Sequence, residues 1–268
     1  MSKENKYEDI LYDVRDHVAR ITINRPEVMN ALRTNTYEEL GRAMLEASED
    51  GSVGVIVLQG TGPRAFSSGG DVKSQSVQTF AGGRRHLQRI LTLGNAMRNC
   101  GKPIIAAVRG YCVGAGHELH LMCDLTISAD TGKFGQVGPK VGMVPIWGAT
   151  QILPRVVGEK LAREMIYTCR LLSADEALKV GLVNKVVPEP ELEAAVQAMC
   201  DDILDKSPQS LRIAKLSLNS AVDAMWPSFV DGAEILTLIY GSPEQREGSL
   251  AFAEKRKPDY RKFRVRDQ

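Results

Sequence analysis

Residues 114–124 are the part of the sequence whose residue types and spacing most directly suggest chemistry. They follow the apolar run 104–108, begin with a turn of small residues, and carry Glu118 near the start of a helix-compatible stretch. A strand that ends at glycines and opens into a helix leaves backbone N–H groups free at the positive end of the helix dipole. Such groups can bind a developing oxyanion, and a carboxylate one turn away can move a proton beside it. A plain glycine turn with a solvated Glu118 is the alternative that this stretch leaves open.

The surrounding pattern indicates how these residues are held. Apolar runs of strand length alternate with small-residue loops and amphipathic segments. The predicted strands are residues 10–14, 18–23, 53–58, 104–108, 125–128 and 183–187. The predicted helices of this part are residues 35–47, 84–97, 148–156 and 160–169, and a further helix that begins after Ser173. This alternation predicts an α/β fold whose active residues lie on the loops that follow strands, including the small-residue loop 65–71 and the Gly- and Pro-rich loop 134–142.

The last third of the chain has a different pattern. Helices are predicted at 192–204, 208–221 and 227–240, with no strand between them, and several are apolar on more than one face. Helices of this kind pack against another surface, such as a second subunit.

Composition and charge disfavour several classes of function. Lys plus Arg number 34 and Asp plus Glu 33, so no strong field would recruit nucleic acid or a membrane surface. No apolar run approaches the roughly 20 residues that cross a bilayer, and the polar first residues do not resemble a secretory signal. His117 and His120 are three residues apart, which does not match the zinc motif His-Glu-x-x-His. We therefore expect a cytoplasmic protein with no metal, nucleic-acid or membrane partner.

Four motifs follow one another along the chain. They are residues 24–32 (Asn-Arg-Pro, then Asn-Ala-Leu), 65–71 (Ala-Phe, then Gly-Gly-Asp), 110–119 and 247–257. In order and spacing they resemble the crotonase (enoyl-CoA hydratase/isomerase) superfamily over nearly the whole chain. The resemblance implies a spiral of ββα units, placed at residues 1–200, and a C-terminal helical region, placed at 201–268, that builds homotrimers or homohexamers. It also implies an acyl-CoA thioester as substrate, with coenzyme A a part of that substrate and no separate cofactor.

The resemblance also assigns roles to individual residues. The N–H groups of Gly70 and Ala115 would bind the thioester oxygen, and Glu118 would act as general acid/base or position water. Residues placed against coenzyme A are Arg25, Lys73, Phe252 and Lys255, although either lysine is equally well explained as a solvated surface charge. Pro145 and Trp147 would form an apolar wall for a bulky or cyclic acyl group, and core packing explains Trp147 equally well. The other residues placed in the substrate site are Val28, Ser68, Gly69, Asp71, Val72 and Gly138.

One position departs from the hydratase pattern. Hydratases of this superfamily use two glutamates, and the second falls at Gly138, where Gln136 and Lys140 cannot be assumed to replace it. Segments 117–126, 134–142 and 255–263 resemble dihydroxynaphthoyl-CoA synthase and 2-ketocyclohexanecarboxyl-CoA hydrolase, which form or break C–C bonds. Those enzymes carry an aspartate just after the Lys-Val-Gly segment, where this chain has residues 143–147 (Met-Val-Pro-Ile-Trp).

Three functions follow from these observations. The first is enoyl-CoA hydratase-type chemistry, favoured by Glu118. The second is cleavage or formation of a C–C bond in a β-ketoacyl- or malonyl-type CoA, by a hydrolase or decarboxylase, favoured by Gly138. The third is a non-catalytic relative that binds acyl-CoA or RNA, and the near-zero net charge disfavours RNA.

Overall fold

The computed structural model describes residues 7–264. The strands in this range are β1 (Ile10–Arg15), β2 (Val18–Ile23), β3 (Val55–Gly60), β4 (Ala65–Ser67), β5 (Ile104–Val108), β6 (Tyr111–Val113), β7 (Leu125–Ala129), β8 (Lys133–Gly135), β9 (Leu172–Ser173) and β10 (Lys185–Val187). The α-helices are α1 (Thr34–Glu49), α2 (Val72–Ser76), α3 (Phe80–Asn99), α4 (Ala115–Leu121), α5 (Leu153–Val157), α6 (Glu159–Thr168), α7 (Ala174–Lys179), α8 (Leu192–Leu204), α9 (Pro208–Asp223), α10 (Trp226–Thr237) and α11 (Pro243–Ala253). Short 3-10 helices lie at Pro26–Val28, Gly138–Val141, Glu189–Glu191 and Arg261–Phe263.

The larger sheet has the strand order β1-β2-β3-β5-β7-β10. Only the β1–β2 pair is antiparallel, and the other neighbours run parallel. Every residue of β5 is buried because helices cover both faces of the sheet. Ile104 and Ala106 belong to the core that includes α1 and α3, whereas Ile105 and Ala107 pack with α8. A strand buried on both faces reads as a continuous apolar run, which is why residues 104–108 were predicted correctly.

The smaller sheet has the order β4-β6-β8-β9, and its short strands follow the longer ones in the chain. The prediction of irregular loops at 65–71 and 134–142 was incomplete, because β4 lies in the first segment and β8 enters the second. Three-residue strands are too short to show a period of two in the sequence. Their parallel pairing places the chain segments after β4, β6 and β8 at one edge of this sheet.

The last helices match the predicted helical region closely. Helix α8 has the predicted bounds, and α9 and α10 end within about one turn of theirs. Lys215 of α9 donates from Nζ to Asp124 Oδ2 at 2.7 Å, and Arg98 of α3 pairs with Asp223 at 2.7 Å. The division of the chain after residue 200 stays a prediction, and it falls within α8.

Two further predictions concern local structure and membranes. Helix α7 is capped as expected: Glu176 N donates to Ser173 Oγ at 3.2 Å, and Ser173 N donates to Glu176 Oε2 at 2.8 Å. Residues 148–152 form turns and only Leu153–Val157 is helical, so the helix predicted at 148–156 was too long at its start. Over residues 7–264, no helix has both the length and the apolar character needed to cross a bilayer.

Candidate functional site

A cavity of about 560 Å³ lies beside the segments that follow β4, β6 and β8. Helices α1, α3, α4, α10 and α11 also contribute lining residues. The predicted site residues found in this lining are Val28, Ser68, Gly69, Gly70, Asp71, Val72, Lys73, Ala115, Glu118, Gly138, Pro145, Trp147 and Phe252. Arg25 and Lys255 are not in the lining.

The segments after β4 and β6 touch each other at their glycines. Gly69 has φ +100°, and a methyl group there would lie 3.0 Å from Val113 O and 3.4 Å from Ala115 N. Gly114 caps α4 with φ 55° and ψ −128°, a combination that L-residues rarely adopt. Glycine at both positions therefore allows the two backbones to approach each other closely.

This contact brings Gly70 and Ala115 into the lining of the same cavity. Gly70 is held through its neighbours, since Leu32 N donates to Gly69 O at 2.8 Å and Asp71 N donates to Leu32 O at 2.9 Å. Ala115 is the first residue of α4, where an N–H has no intrahelical acceptor. Within residues 7–264 neither of the two N–H groups makes a hydrogen bond. Two uncommitted N–H groups beside one cavity can bind an anionic oxygen.

Glu118 lies in the first turn of α4, and its side chain is buried. Its Oε1 accepts a hydrogen bond from the backbone N–H of Trp147 at 2.7 Å. Burial raises the pKa of Glu118 to about 8, against the smaller opposing effect of backbone hydrogen bonds from Trp147 and Ile146. A carboxyl group with such a pKa exchanges its proton near neutral pH, as a general acid/base requires.

Other carboxylates of the cavity lining differ from Glu118. Glu27 is exposed, and Asp71 is occupied by its neighbours: Arg25 Nη2 donates to Oδ2 at 3.1 Å, and Ser74 N donates to Oδ1 at 3.1 Å. Glu118 is therefore the one buried carboxyl group in the described part of the lining.

Gly138, at which the resemblance implies that a second glutamate is missing, lies in the cavity lining. Gly138 opens a 3-10 helix, accepts a hydrogen bond from Met143 N at 3.0 Å, and lines the cavity. Gln136, two residues earlier, is fully buried, and its Nε2 lies 3.0 Å from His117 Nδ1. Neither residue brings a carboxylate to the cavity.

The four residues predicted to contact coenzyme A differ in their surroundings. Lys73 on α2 is exposed at the cavity, together with the 60% exposed ring of Phe252. Arg25 instead donates to Ala31 O at 2.5 Å and pairs with Asp71, so its guanidinium supports the loop that carries Gly70. Lys255 is exposed, with φ 54°, just beyond the end of α11.

Three polar residues of the cavity were missed at the level of sequence. Tyr37 on α1, His86 on α3 and Tyr240 after α10 are all buried, and all line the cavity. The Tyr37 ring is edge-on to the ring of His86 at 5.4 Å and to that of Trp147 at 6.0 Å between centroids. Helical periodicity assigns such residues to a core face, and nothing in their local sequence signals a cavity.

His117 and His120 pack behind the site. Their ring centroids lie 5.5 Å apart, and the His120 ring lies 5.3 Å from that of Phe134. Burial, and then the neighbouring His120, lowers the pKa of His117, so its imidazole is neutral. No group of three or more His, Cys, Asp or Glu side chains with the geometry of a metal site occurs between residues 7 and 264.

Comparison with known proteins gives matches over nearly the whole chain. The family model described as enoyl-CoA hydratase/isomerase matches residues 13–263. An enoyl-CoA hydratase/isomerase from Xanthobacter autotrophicus Py2 is 33% identical with a TM-score of 0.85, covering 93% of this chain and 94% of that one. An enoyl-CoA hydratase from Mycobacterium avium subsp. paratuberculosis K-10 is 29% identical with a TM-score of 0.85, covering 95% and 99%. A carnitinyl-CoA hydratase from Mycobacterium avium is 28% identical with a TM-score of 0.81, covering 96% and 100%.

Proposed function

Because the chain belongs to the enoyl-CoA hydratase/isomerase family, we propose that it is an acyl-CoA enzyme working through a thioester enolate. The match confirms the superfamily and the crotonase-like α/β fold that the four motifs predicted. One observation carries the proposal. Gly70 and Ala115, whose N–H groups make no hydrogen bond within residues 7–264, line the same cavity as the buried carboxyl group of Glu118.

The two N–H groups supply the electrostatic part of the mechanism. When the thioester becomes an enolate, negative charge develops on its oxygen, and donors already in place stabilise that charge without reorganising. Removing one such donor from an enzyme typically costs about 10²–10³ in kcat. The close approach of Gly69 and Gly114 holds the two loops that carry Gly70 and Ala115 beside each other.

Glu118 supplies the proton transfers. In hydration of an enoyl-CoA, the ionised carboxylate takes a proton from water as the water oxygen bonds to the β-carbon. The resulting enolate then takes that proton from Glu118 at its α-carbon, so one carboxyl group serves both transfers. The hydrogen bond from Trp147 N to Oε1 fixes the carboxyl group while the transfers occur. The reverse reaction, dehydration, uses the same ionised form of Glu118 as the base.

Gly138 favours a second candidate reaction. With no carboxylate at that position, activation of water rests on Glu118 alone. Cleavage of a C–C bond in a β-ketoacyl- or malonyl-type CoA also yields the enolate, whose α-carbon Glu118 would then protonate. The same oxyanion donors serve both reactions, so substrate trials must decide between them. A non-catalytic acyl-CoA-binding relative is the third candidate.

The assembly and its surroundings are also proposed. Large apolar side chains are exposed in this region: Leu218 of α9 at 79%, Ile235 of α10 at 63%, Leu238 directly after α10 at 69% and Leu250 of α11 at 52%. Burying them between subunits would form the homotrimer or homohexamer, and Phe252 and Lys255 would then lie near the coenzyme A of their own or a neighbouring subunit. We propose a cytoplasmic enzyme with no cofactor beyond the coenzyme A of its substrate. Light scattering on the purified protein measures the subunit number.

Turnover assays test the proposed function. Crotonyl-CoA and cyclohex-1-ene-1-carboxyl-CoA are mixed with the wild-type protein and with Glu118→Gln, and loss of the enoyl-thioester absorbance is followed. Loss that depends on Glu118 is the result expected of a hydratase. If both esters bind without reacting, β-ketoacyl- and malonyl-type thioesters are tried next, and their cleavage would establish the second candidate. Turnover at an unchanged rate in Glu118→Gln would contradict the catalytic assignment.

A further inference from the structure

One wall of the cavity carries polar atoms that have no protein partner. The hydroxyl groups of Tyr37 and Tyr240 and the Nε2 atom of His86 are buried without a hydrogen-bond partner among residues 7–264. The three residues are 1%, 8% and 3% exposed, respectively. All three line the same cavity as Glu118.

These residues come from different elements and meet at one side of α3. The rings of Tyr37 and His86 are in edge contact at 5.4 Å. A methyl group on Gly83, which lies one turn before His86 on the same face of α3, would run into the ring of Tyr240. Tyr240 therefore packs on α3 beside His86, and His86 packs on Tyr37.

The cost of such an arrangement indicates a ligand. A buried polar group without a partner costs about 1–3 kcal/mol, so most buried polar groups in proteins are paired. Trp147 Nε1 is also unpaired, but it lies against Gly94 of α3, where a methyl group would be 2.7 Å away. The indole of Trp147 can only donate a hydrogen bond, whereas the hydroxyl groups of Tyr37 and Tyr240 can donate or accept one. The Nε2 atom of a neutral His86 donates or accepts according to its tautomer.

The charges near this wall restrict what the ligand group can be. His86 Nδ1 lies 2.9 Å from Thr34 Oγ1, and burial lowers the pKa of His86 to about 4, so the ring is neutral at physiological pH. The Lys and Arg residues of the described cavity lining are Arg64 and Lys73, and both are exposed. Without a buried cation, a carboxylate placed against this wall would lose its hydration without being neutralised.

The rest of the wall is apolar. Leu87 and Ile90 of α3 line it on the side of His86, and Phe229, Ala233 and Leu236 of α10 lead to Tyr240. A carbon ring or branched chain in the cavity would contact these side chains.

We propose that Tyr37, His86 and Tyr240 form a specificity subsite for a neutral oxygen, a ketone or a hydroxyl group, on the distal part of the acyl group. The inference rests on the proposed function, because it assumes that the acyl part of a coenzyme A thioester enters this cavity. It names a substrate class: acyl-CoA thioesters oxygenated away from the thioester, in preference to plain hydrocarbon or carboxylate-bearing ones.

Binding measurements on matched thioesters test the subsite. Cyclohexanecarboxyl-CoA and its 4-oxo, 4-hydroxy and 4-carboxy derivatives are titrated calorimetrically into the wild-type protein, Tyr37→Phe and Tyr240→Phe. Each substitution removes one hydroxyl group that has no protein partner, so we expect the melting temperature not to fall. Tyr12→Phe is the matched control, because the Tyr12 hydroxyl is also buried and unpaired but Tyr12 does not line the cavity.

We expect the wild type and Tyr12→Phe to bind the 4-oxo or 4-hydroxy thioester about tenfold more tightly than the plain thioester. One hydrogen bond to a previously unpaired group provides an affinity gain of this size. Tyr37→Phe or Tyr240→Phe should reduce that preference to within about threefold while leaving the affinity for the plain thioester unchanged. Equal binding of plain and oxygenated thioesters, or preference for the 4-carboxy compound, would overturn the subsite and leave the proposed function intact. If none of these cyclohexane thioesters binds, the subsite is wrong, and the turnover assays with crotonyl-CoA decide separately whether the proposed function stands.

Discussion

Replacing Glu118 by glutamine should change how the stability of the protein depends on pH. Burial raises the pKa of Glu118 from 4.5 to about 8, so between these values the folded protein holds a proton that the unfolded chain has released. Where the folded state binds more protons, the free energy of unfolding falls as pH rises. The contribution of the Glu118 proton to the free energy of unfolding is therefore complete below about pH 4.5, and it is lost as the pH rises through 8. Glutamine has the same shape and cannot ionise.

The size of the effect follows from the shift. Each pKa unit corresponds to about 1.4 kcal/mol, so the shift amounts to roughly 4–5 kcal/mol. The free energy of unfolding of Glu118→Gln minus that of the wild type should rise by about 1.4 kcal/mol per pH unit between pH 5 and 8. Above the pKa of Glu118, near 8, the difference should become constant.

Urea unfolding of both proteins at pH 5.5, 6.5, 7.5 and 8.5, at one subunit concentration, measures this difference. Glu49→Gln, at the exposed end of α1, controls for the loss of a solvated carboxyl group. If the wild type and Glu118→Gln keep a constant difference over this range, the carboxyl group of Glu118 does not carry the shift, and the acid/base reasoning fails with it.

Three further predictions concern activity and packing. Because the ionised form of Glu118 is the base, kcat/KM should rise with pH and level off above its pKa of about 8, and a pH-independent rate would contradict this. Ala115→Pro removes one N–H at a position where helices accept proline, so kcat should fall about 10²–10³-fold, whereas Ala115→Gly keeps the N–H and should retain activity. Gly116→Ala would place a methyl group 2.6 Å from Ser67 O and should destabilise the protein by about 1–3 kcal/mol in urea unfolding. Gly41→Ala on α1 meets nothing within 4 Å and should stabilise it by up to about 1 kcal/mol, and equal effects at the two sites would refute the packing argument.

The parts of the fold that could be predicted are those marked by a few neighbouring residues in the sequence. The strand Ile104–Val108 is apolar throughout because both of its faces are covered, and the start of α7 is marked by Ser173 and Glu176. The strands β4, β6 and β8 were missed because three residues carry no periodicity. Yet the parallel pairing of these strands determines where Gly70 and Ala115 meet.

The site was only partly predictable for the same reason. The motifs named Glu118, but its raised pKa depends on burial beneath residues that include Trp147, 29 positions later. The contact of Arg25 with coenzyme A that the resemblance implies stays a prediction, and the sequence did not signal that its guanidinium contacts Asp71 and Ala31. Tyr37, His86 and Tyr240 are brought together by the packing of α1 and α10 on α3, a tertiary contact that no local pattern in the sequence encodes.

Exchange of the α-hydrogens of a bound saturated acyl-CoA, such as butanoyl-CoA, in D₂O tests most directly whether Glu118 forms and protonates a thioester enolate. Proton NMR follows the loss of the α-CH signal with the wild-type protein and with Glu118→Gln. The enolate mechanism predicts exchange by the wild type that falls at least about 100-fold in Glu118→Gln, while the affinity for the thioester stays within a few-fold. Exchange at an unchanged rate in Glu118→Gln, or none by the wild type with the thioester bound, would contradict it.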